Sequence, residues 1–213
     1  MGELTENMPK PMLAILGKPK LEYSLQVLPD TIDEIIFIVG YHSDVIKSYF
    51  GNFYNGKPIR YVEQSILNGT GGAIHLVKDM VDEKFLVLNG DDLYRKEDIE
   101  QMLENELVVL ACEMEDSSQF GVLQIDEEGK LVRIIEKPHS PEYKLVNTGA
   151  YVLNKHFFEY PLVPISEKEF GLPQTLVQMR DRYAIVVVRT TFWFPIGTPE
   201  ALAEAQTKIN EFL

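Results

Sequence analysis

The chain has 213 residues, 45% of them hydrophobic, enough to bury one sizeable core as a single α/β domain or at most two small ones. A net charge of -13 speaks against a general nucleic-acid or membrane surface, since both would repel an acidic face, so any phosphate site has to be built locally. No apolar run approaches the about 18 residues needed to cross a bilayer, no signal peptide opens the chain, and a lone Cys112 excludes an internal disulfide, which makes a reducing cytoplasm the default compartment.

The predicted elements alternate. Leu21 to Leu28 reads as a helix, Ile35 to Val39 as a buried strand and Val45 to Phe50 as a helix. Ile59 to Val62 is strand-like. A helix over Gly72 to Met80 follows, then a strand at Phe85 to Leu88, a helix over Lys96 to Glu106 and a strand at Val108 to Ala111. This order predicts a doubly wound, mostly parallel sheet with right-handed crossovers. From Phe120 the texture changes to paired strands. Val122 to Ile125 and Leu131 to Ile135 flank the turn Asp126-Glu127-Glu128-Gly129, a hairpin signal. Another strand is expected at Asn147 to Leu153, with helices at Lys155 to Tyr160 and Leu172 to Arg180. Strands at Tyr183 to Val188 and Thr191 to Phe194 come next, and Pro199 opens a terminal helix ending near Leu213. No linker, low-complexity tract or repeat divides the chain. It reads as one domain over 1–213, with a first half at 1–115 and a smaller antiparallel half at 116–213.

Several motifs stand out along this frame. Leu4-Thr5 and Pro9-Lys10-Pro11 come first, then Gln64 and the turn Asn68-Gly69-Thr70-Gly71-Gly72-Ala73, then Asn89-Gly90-Asp91-Asp92. Phe120-Gly121-Val122, Glu136-Lys137-Pro138, Asn147-Thr148-Gly149-Ala150-Tyr151, Glu169 to Pro173 and Trp193 to Pro199 follow. A glycine-rich turn by itself is weak evidence, but this ordered series resembles the sugar-phosphate nucleotidyltransferases (NDP-sugar pyrophosphorylases) over nearly the whole chain. In that family a strand runs into a G-x-G-T-R-x-x-P-L-T loop about ten residues before Pro-Lys-Pro. Only Gly2-Glu3, Leu4-Thr5 and Pro9-Lys10-Pro11 of that signature stand in these residues.

The resemblance implies a Rossmann-like fold and the joining of a nucleoside triphosphate to a sugar 1-phosphate, with release of pyrophosphate. Two anions must then meet, so the site has to supply positive charge. Lys10, stiffened between prolines, matches the triphosphate-side lysine. Asp91 follows the run Phe85 to Leu88, which puts its carboxylate at the carboxyl edge of the sheet, and it matches a Mg²⁺ ligand. Asp92 is a second-choice ligand. Relatives place another metal aspartate in Trp-x-Asp-x-Gly-Thr-Pro, where this chain has Pro195. Gln64, Gly69, Thr70 and Gly71 match the nucleobase and ribose region, an amide pairing with a base edge and glycines allowing close backbone approach. Gly121, Glu136, Lys137 and Asn147 match the sugar-phosphate side: room for a pyranose, an acceptor for hydroxyls, a cation for phosphate and an amide. His42, His75, His139 and His156 show no metal-site spacing, and Cys112 reads as a buried thiol.

The candidate partners are therefore a nucleoside triphosphate, a sugar 1-phosphate and a second copy of the chain, with Mg²⁺ as cofactor and neither nucleic acid nor membrane. The competing reading is a catalytically impaired relative that binds nucleotide sugars or acts as a regulatory subunit; a metal-dependent glycosyltransferase of similar architecture is disfavoured by Pro9-Lys10-Pro11 and Glu136-Lys137-Pro138. In the resembled fold the opening strand lies between those matched by Ile35 to Val39 and Phe85 to Leu88. A chain without it is expected to fill that slot by re-pairing the neighbours, by drawing in Met12 to Leu16, or with a strand from a second copy.

Overall fold

The structure is a computed structural model, described for residues 1–138, 142 and 144–209. His139 and the expected end of the terminal helix at Leu213 lie outside the described residues. The backbone divides into two compact units that interleave along the chain. The first comprises Met1–Ser65, Asn89–Ile99 and the residues from Trp193 on; the second comprises Ile66–Leu88 and Glu100–Phe192. The divisions fall near residues 65, 88, 99 and 192 rather than at the expected 115/116 boundary, because packing groups segments that the sequence separates.

In the first unit, β1 (Ile35–Val39) runs parallel to β2 (Lys57–Glu63), whose other edge takes the short antiparallel strand Phe53–Tyr54. Helices α1 (Lys20–Gln26) and α2 (Ser43–Phe50) bring Leu21, Leu25, Ile46 and Phe50 into one apolar cluster with Ile35, Phe37, Val39 and Ile59. The alternating burial of β1 follows from this one-sided cover. A second cluster joins Ile15, Tyr23, Leu93 and Ile196 to the C-terminal helix Pro199–Lys208, whose N-cap Thr198 accepts from the Ala201 N–H at 3.2 Å. Ala14–Ile15 pairs with Lys18–Pro19 and Phe194–Pro195 with Asp92–Leu93.

The second unit holds a six-stranded sheet. Its strands are β3 (Lys84–Leu88), β4 (Val108–Glu113), β5 (Gly121–Ile125), β6 (Leu131–Glu136), β7 (Leu145–Asn154) and β8 (Val186–Thr190). They run in the order β6-β5-β7-β4-β8, with β3 also paired to β7. Only β4 and β8 are parallel; β3–β7, β4–β7, β5–β7 and β5–β6 are antiparallel. The α/β, Rossmann-like class holds, while the sheet is mixed where a mostly parallel one was expected. The ten-residue β7 is the reason: it reaches β3, β4 and β5 and imposes its antiparallel direction on all three. Val146, Val152 and Leu153 on β7 and Val108 and Val109 on β4 are wholly buried, as a strand covered on both faces requires.

Local chemistry explains most remaining boundary shifts. Asp126 accepts from the Glu128 and Lys130 N–H groups at 3.0 and 2.9 Å, and Gly129 takes φ +77°, so the predicted β5–β6 turn forms. The Thr190 hydroxyl accepts from the Phe192 N–H at 2.9 Å and ends β8, leaving only Phe194–Pro195 of the strand expected over Thr191 to Phe194. The helix expected from Gly72 to Met80 spans Gly69–His75, and that expected over Lys96 to Glu106 spans Lys96–Leu103. Among the described residues, β1 is paired on one edge by β2 and β3 on one edge by β7. Met12 to Leu16 is not drawn into either sheet, since Ala14–Ile15 turns back on Lys18–Pro19. The expected filling of the slot from within the chain is thus not observed. No helix among the described residues is long and apolar enough to cross a membrane.

Candidate active site

Each unit gathers part of the predicted set. In the first, the 3₁₀ turn Lys10–Met12 presents Lys10 to the Asp91 carboxylate, and the two form an ion pair. Asp91 is partly exposed, whereas Asp92 is buried and accepts from the Asn89 side chain and the Ile196 N–H. Burial, and then the neighbouring Asp91 charge, push the Asp92 carboxyl well above the usual carboxylate range. The Ser24 hydroxyl donates to the Asp92 carbonyl at 3.0 Å, tying this strand to α1. Gln64 sits just past the end of β2, its N–H donating to the Val39 carbonyl at 2.8 Å. That bond holds it at the carboxyl ends of two parallel strands, where ligands bind in open α/β sheets.

In the second unit, Gly121 and Glu136 are direct cross-strand partners. A Cβ on Gly121 would lie 3.0 Å from the Glu136 Oε1, so the glycine makes room for that carboxylate. Gln174, on the helix Leu172–Gln178, donates from Nε2 to the same oxygen at 2.6 Å. Lys137 is exposed and adopts φ +43°, a left-handed conformation rare for a side-chain-bearing residue, with its N–H bonded to the Phe120 carbonyl at 3.0 Å. Asn147 lies on neighbouring β7, where its Oδ1 accepts from the Gly149 N–H at 3.1 Å and its Nδ2 donates to the Tyr151 hydroxyl at 2.7 Å. Burial holds that hydroxyl protonated, well above the usual tyrosine range, and the Glu136 charge acts in the same direction. The register shift of β7 between Asn147 and Tyr151 lets these side chains, four positions apart, meet.

The glycine turn is built differently from its expected use. A Cβ on Gly69 would stand 2.5 Å from the Phe170 carbonyl oxygen, and one on Gly71 would lie 3.1 Å from the Gly171 carbonyl carbon. These positions therefore admit the strand Phe170–Gly171. The Thr70 hydroxyl accepts from the Leu172 N–H at 3.1 Å, and the Phe170 N–H donates to the Asn68 carbonyl at 2.8 Å. The backbone approach that the glycines permit is made here by the chain itself.

Two participants escaped the sequence reading. Gln174 follows Pro173 directly, so its place one residue past a motif was the available signal. Lys20 is wholly buried, with its ammonium donating to the Ile196 carbonyl at 3.2 Å; burial lowers its pKa to about 8. No sequence feature separates it from a solvated lysine at a helix start. Among the described residues no group of three or more His, Cys, Asp or Glu side chains gathers to hold a metal. With Asp92 occupied by two donors, the set fits a Mg²⁺ ion that shares Asp91 with substrate phosphates and water, the usual habit of that ion.

A family model for nucleotidyl transferases matches residues 1–211. The bifunctional protein GlmU of Methanocaldococcus jannaschii is 35% identical over 205 residues, covering 95% of this chain and 49% of that protein. The UTP–glucose-1-phosphate uridylyltransferase AglF of Haloferax volcanii is 28% identical over 220 residues, 98% of this chain and 90% of that one. A putative glucose-1-phosphate thymidylyltransferase from Bacillus anthracis superposes with a TM-score of 0.85 at 24% identity, covering 97% and 89% of the two chains, and supports the fold. The chain spans about half the length of the GlmU relatives it matches.

Proposed function

The chain belongs to the nucleotidyl transferase family, and on that premise we propose that it joins a nucleoside triphosphate to a sugar 1-phosphate, giving an NDP-sugar and pyrophosphate. A phosphate oxygen of the sugar 1-phosphate attacks the α-phosphorus, the bond from that phosphorus to the bridging oxygen breaks, and pyrophosphate leaves with the electron pair. The observation that carries this reading is the meeting of Lys10 and Asp91, far apart in sequence, as an ion pair in one compact unit. A partly exposed ion pair of this kind can be exchanged for substrate contacts. Lys10 then stabilises the charge that develops as pyrophosphate departs. When bound, Mg²⁺ held by Asp91, phosphate oxygens and water would neutralise phosphate charge.

On the other substrate, Glu136 would accept from sugar hydroxyls while Gly121 leaves the space beside it, and Lys137 would contact the sugar's phosphate. Asn147 has both ends of its amide engaged, so its part is to orient Tyr151 and keep one N–H for a ligand. Gln64 would read a base edge. Gly69, Thr70 and Gly71 would shape the nucleotide region through the segment they pack against. The buried thiol of Cys112 supports a reducing, cytoplasmic setting. A second copy of the chain is the protein partner we propose, and a monomer mass by light scattering would remove it.

Calorimetric titration with a panel of nucleotide sugars, with and without Mg²⁺, together with a pyrophosphate-release assay, tests the function. Binding by no member of the panel would sink it. Binding without pyrophosphate release would favour the impaired relative, to which the proline at position 195 lends support.

A further inference from the structure

Lys20 has no part in the roles assigned above, yet its side chain is completely buried. It opens α1 and donates to the Ile196 carbonyl at 3.2 Å, while the N–H of the same Ile196 donates to the Asp92 carboxylate. Ile196 is thereby clipped between a buried lysine and a buried carboxyl. The pairing of Phe194–Pro195 with Asp92–Leu93 holds the clip in register, and the Ser24 hydroxyl fixes the Asp92 backbone from α1. Asp91, Lys10 and Asp92 all act electrostatically on the Lys20 ammonium.

Burying an ammonium is strongly unfavourable unless opposite charge and hydrogen bonds compensate it. Adjacent carboxylates have the reverse problem, for two like charges in a poorly hydrated place disfavour each other's ionisation. Lys10 and Lys20 stand against Asp91 and an Asp92 whose carboxyl is pushed toward its neutral form by burial, so the corner carries no excess negative charge. Such a set offers a free divalent cation no net attraction, whereas a triphosphate carries the missing negative charge with it.

We propose that Lys20 is the resident cation of this corner: its ammonium, seated on the carbonyl of Ile196 whose N–H holds Asp92, offsets the charge of the adjacent carboxyls, so that the corner takes up a divalent ion only in company with substrate phosphates. Lys20 is a positioning residue, acting through the aspartates and never touching substrate. The proposal deepens the reading of this corner as the phosphate site, and its test is independent of turnover.

Mn²⁺, a paramagnetic stand-in for Mg²⁺, is titrated by electron paramagnetic resonance into the full chain without nucleotide. The parent is expected to bind it weakly, Lys20→Met about tenfold more tightly, and the double variant Lys20→Met/Asp92→Asn as weakly as the parent. A folded Lys20→Met that binds Mn²⁺ no more tightly than the parent overturns the proposal. If Lys20→Met does not fold, thermal melting decides: a balanced pair requires the double variant to melt above both single variants, and a double variant no better than the worse single overturns it. Calorimetry of the parent with nucleotide sugars is read separately, so absence of sugar-nucleotide binding would remove the functional reading and leave the counter-ion result standing.

Discussion

The Lys10 corner and the Glu136 cluster hold polar groups by opposite means. In the corner four charged side chains come together from three separate stretches of chain, and two of them, Lys20 and Asp92, are buried. Around Glu136 a single carboxylate is steadied by the Gln174 amide, by its glycine partner and by the β5–β6 ladder beneath it. A balanced set of buried charges is intolerant of single losses, because each removal leaves an uncompensated ion. A carboxylate at the surface of a sheet can lose a neutral partner and turn to water. Stability should therefore be concentrated in the corner, and ligand affinity without stability in the cluster.

The largest effect expected is from Asp92→Ala, which leaves the Ile196 N–H and the Asn89 side chain without their buried acceptor; each stranded group costs about 1–3 kcal/mol, measurable by denaturant titration. The corner has a pH signature of its own. Lys20 gives up its proton near 8 when folded and at the ordinary lysine value of 10.5 when unfolded, so between these the unfolded chain binds more protons and stability rises with pH. Lys20→Met should abolish that rise in melting curves taken across the window.

On the other side of the comparison, Lys137→Ala should weaken nucleotide-sugar binding by about one to two decades, the loss of a charged hydrogen-bond partner of roughly 1.5 to 3 kcal/mol, with the melting temperature unchanged or slightly raised. Calorimetry and melting on the same sample check both halves of that statement. Gly69→Ala tests the glycine turn: its φ of +86° and the crowding by Phe170 predict a loss of about 1–2 kcal/mol or more in stability, without any ligand present. Were Gly69→Ala to keep full stability and lose only ligand binding, the turn's glycines would serve the nucleotide alone. The smallest effect is expected from Gln174→Met, about 0.5–1.5 kcal/mol in binding through a less well held Glu136. A stability loss as large as that of Asp92→Ala would erase the distinction between the two regions.

The elements that could be read directly share one property. Ile35–Val39 was delimited to the residue because five consecutive apolar positions, four of them β-branched, sit in a strand with one face fully covered. The β5–β6 hairpin was legible from Asp126 and Gly129, whose conformational preferences act within the turn itself. Glu136 and Gly121 were both singled out, and the hairpin register makes them partners. The short strands were illegible by contrast: Phe194–Pro195 contains a proline and pairs with Asp92–Leu93 from far along the chain. The partners of β7 were illegible for the same reason, since it meets β3 and β4 antiparallel through contacts that leave no local mark.

By itself the sequence determined the family, the alternation of helices and strands, and the charged residues singled out at Lys10, Asp91, Glu136 and Lys137, because these follow from residue type, order and short spacing. Only the tertiary structure decided that Lys20 is buried against Ile196 rather than solvated, that Gly69 and Gly71 admit Phe170–Gly171, and that Gln174 braces Glu136. Each depends on which distant segment arrives at a given face. Desolvation and close packing are properties of that arrival, and a lysine, a glycine or a glutamine carries the same letter whether the neighbour comes or not.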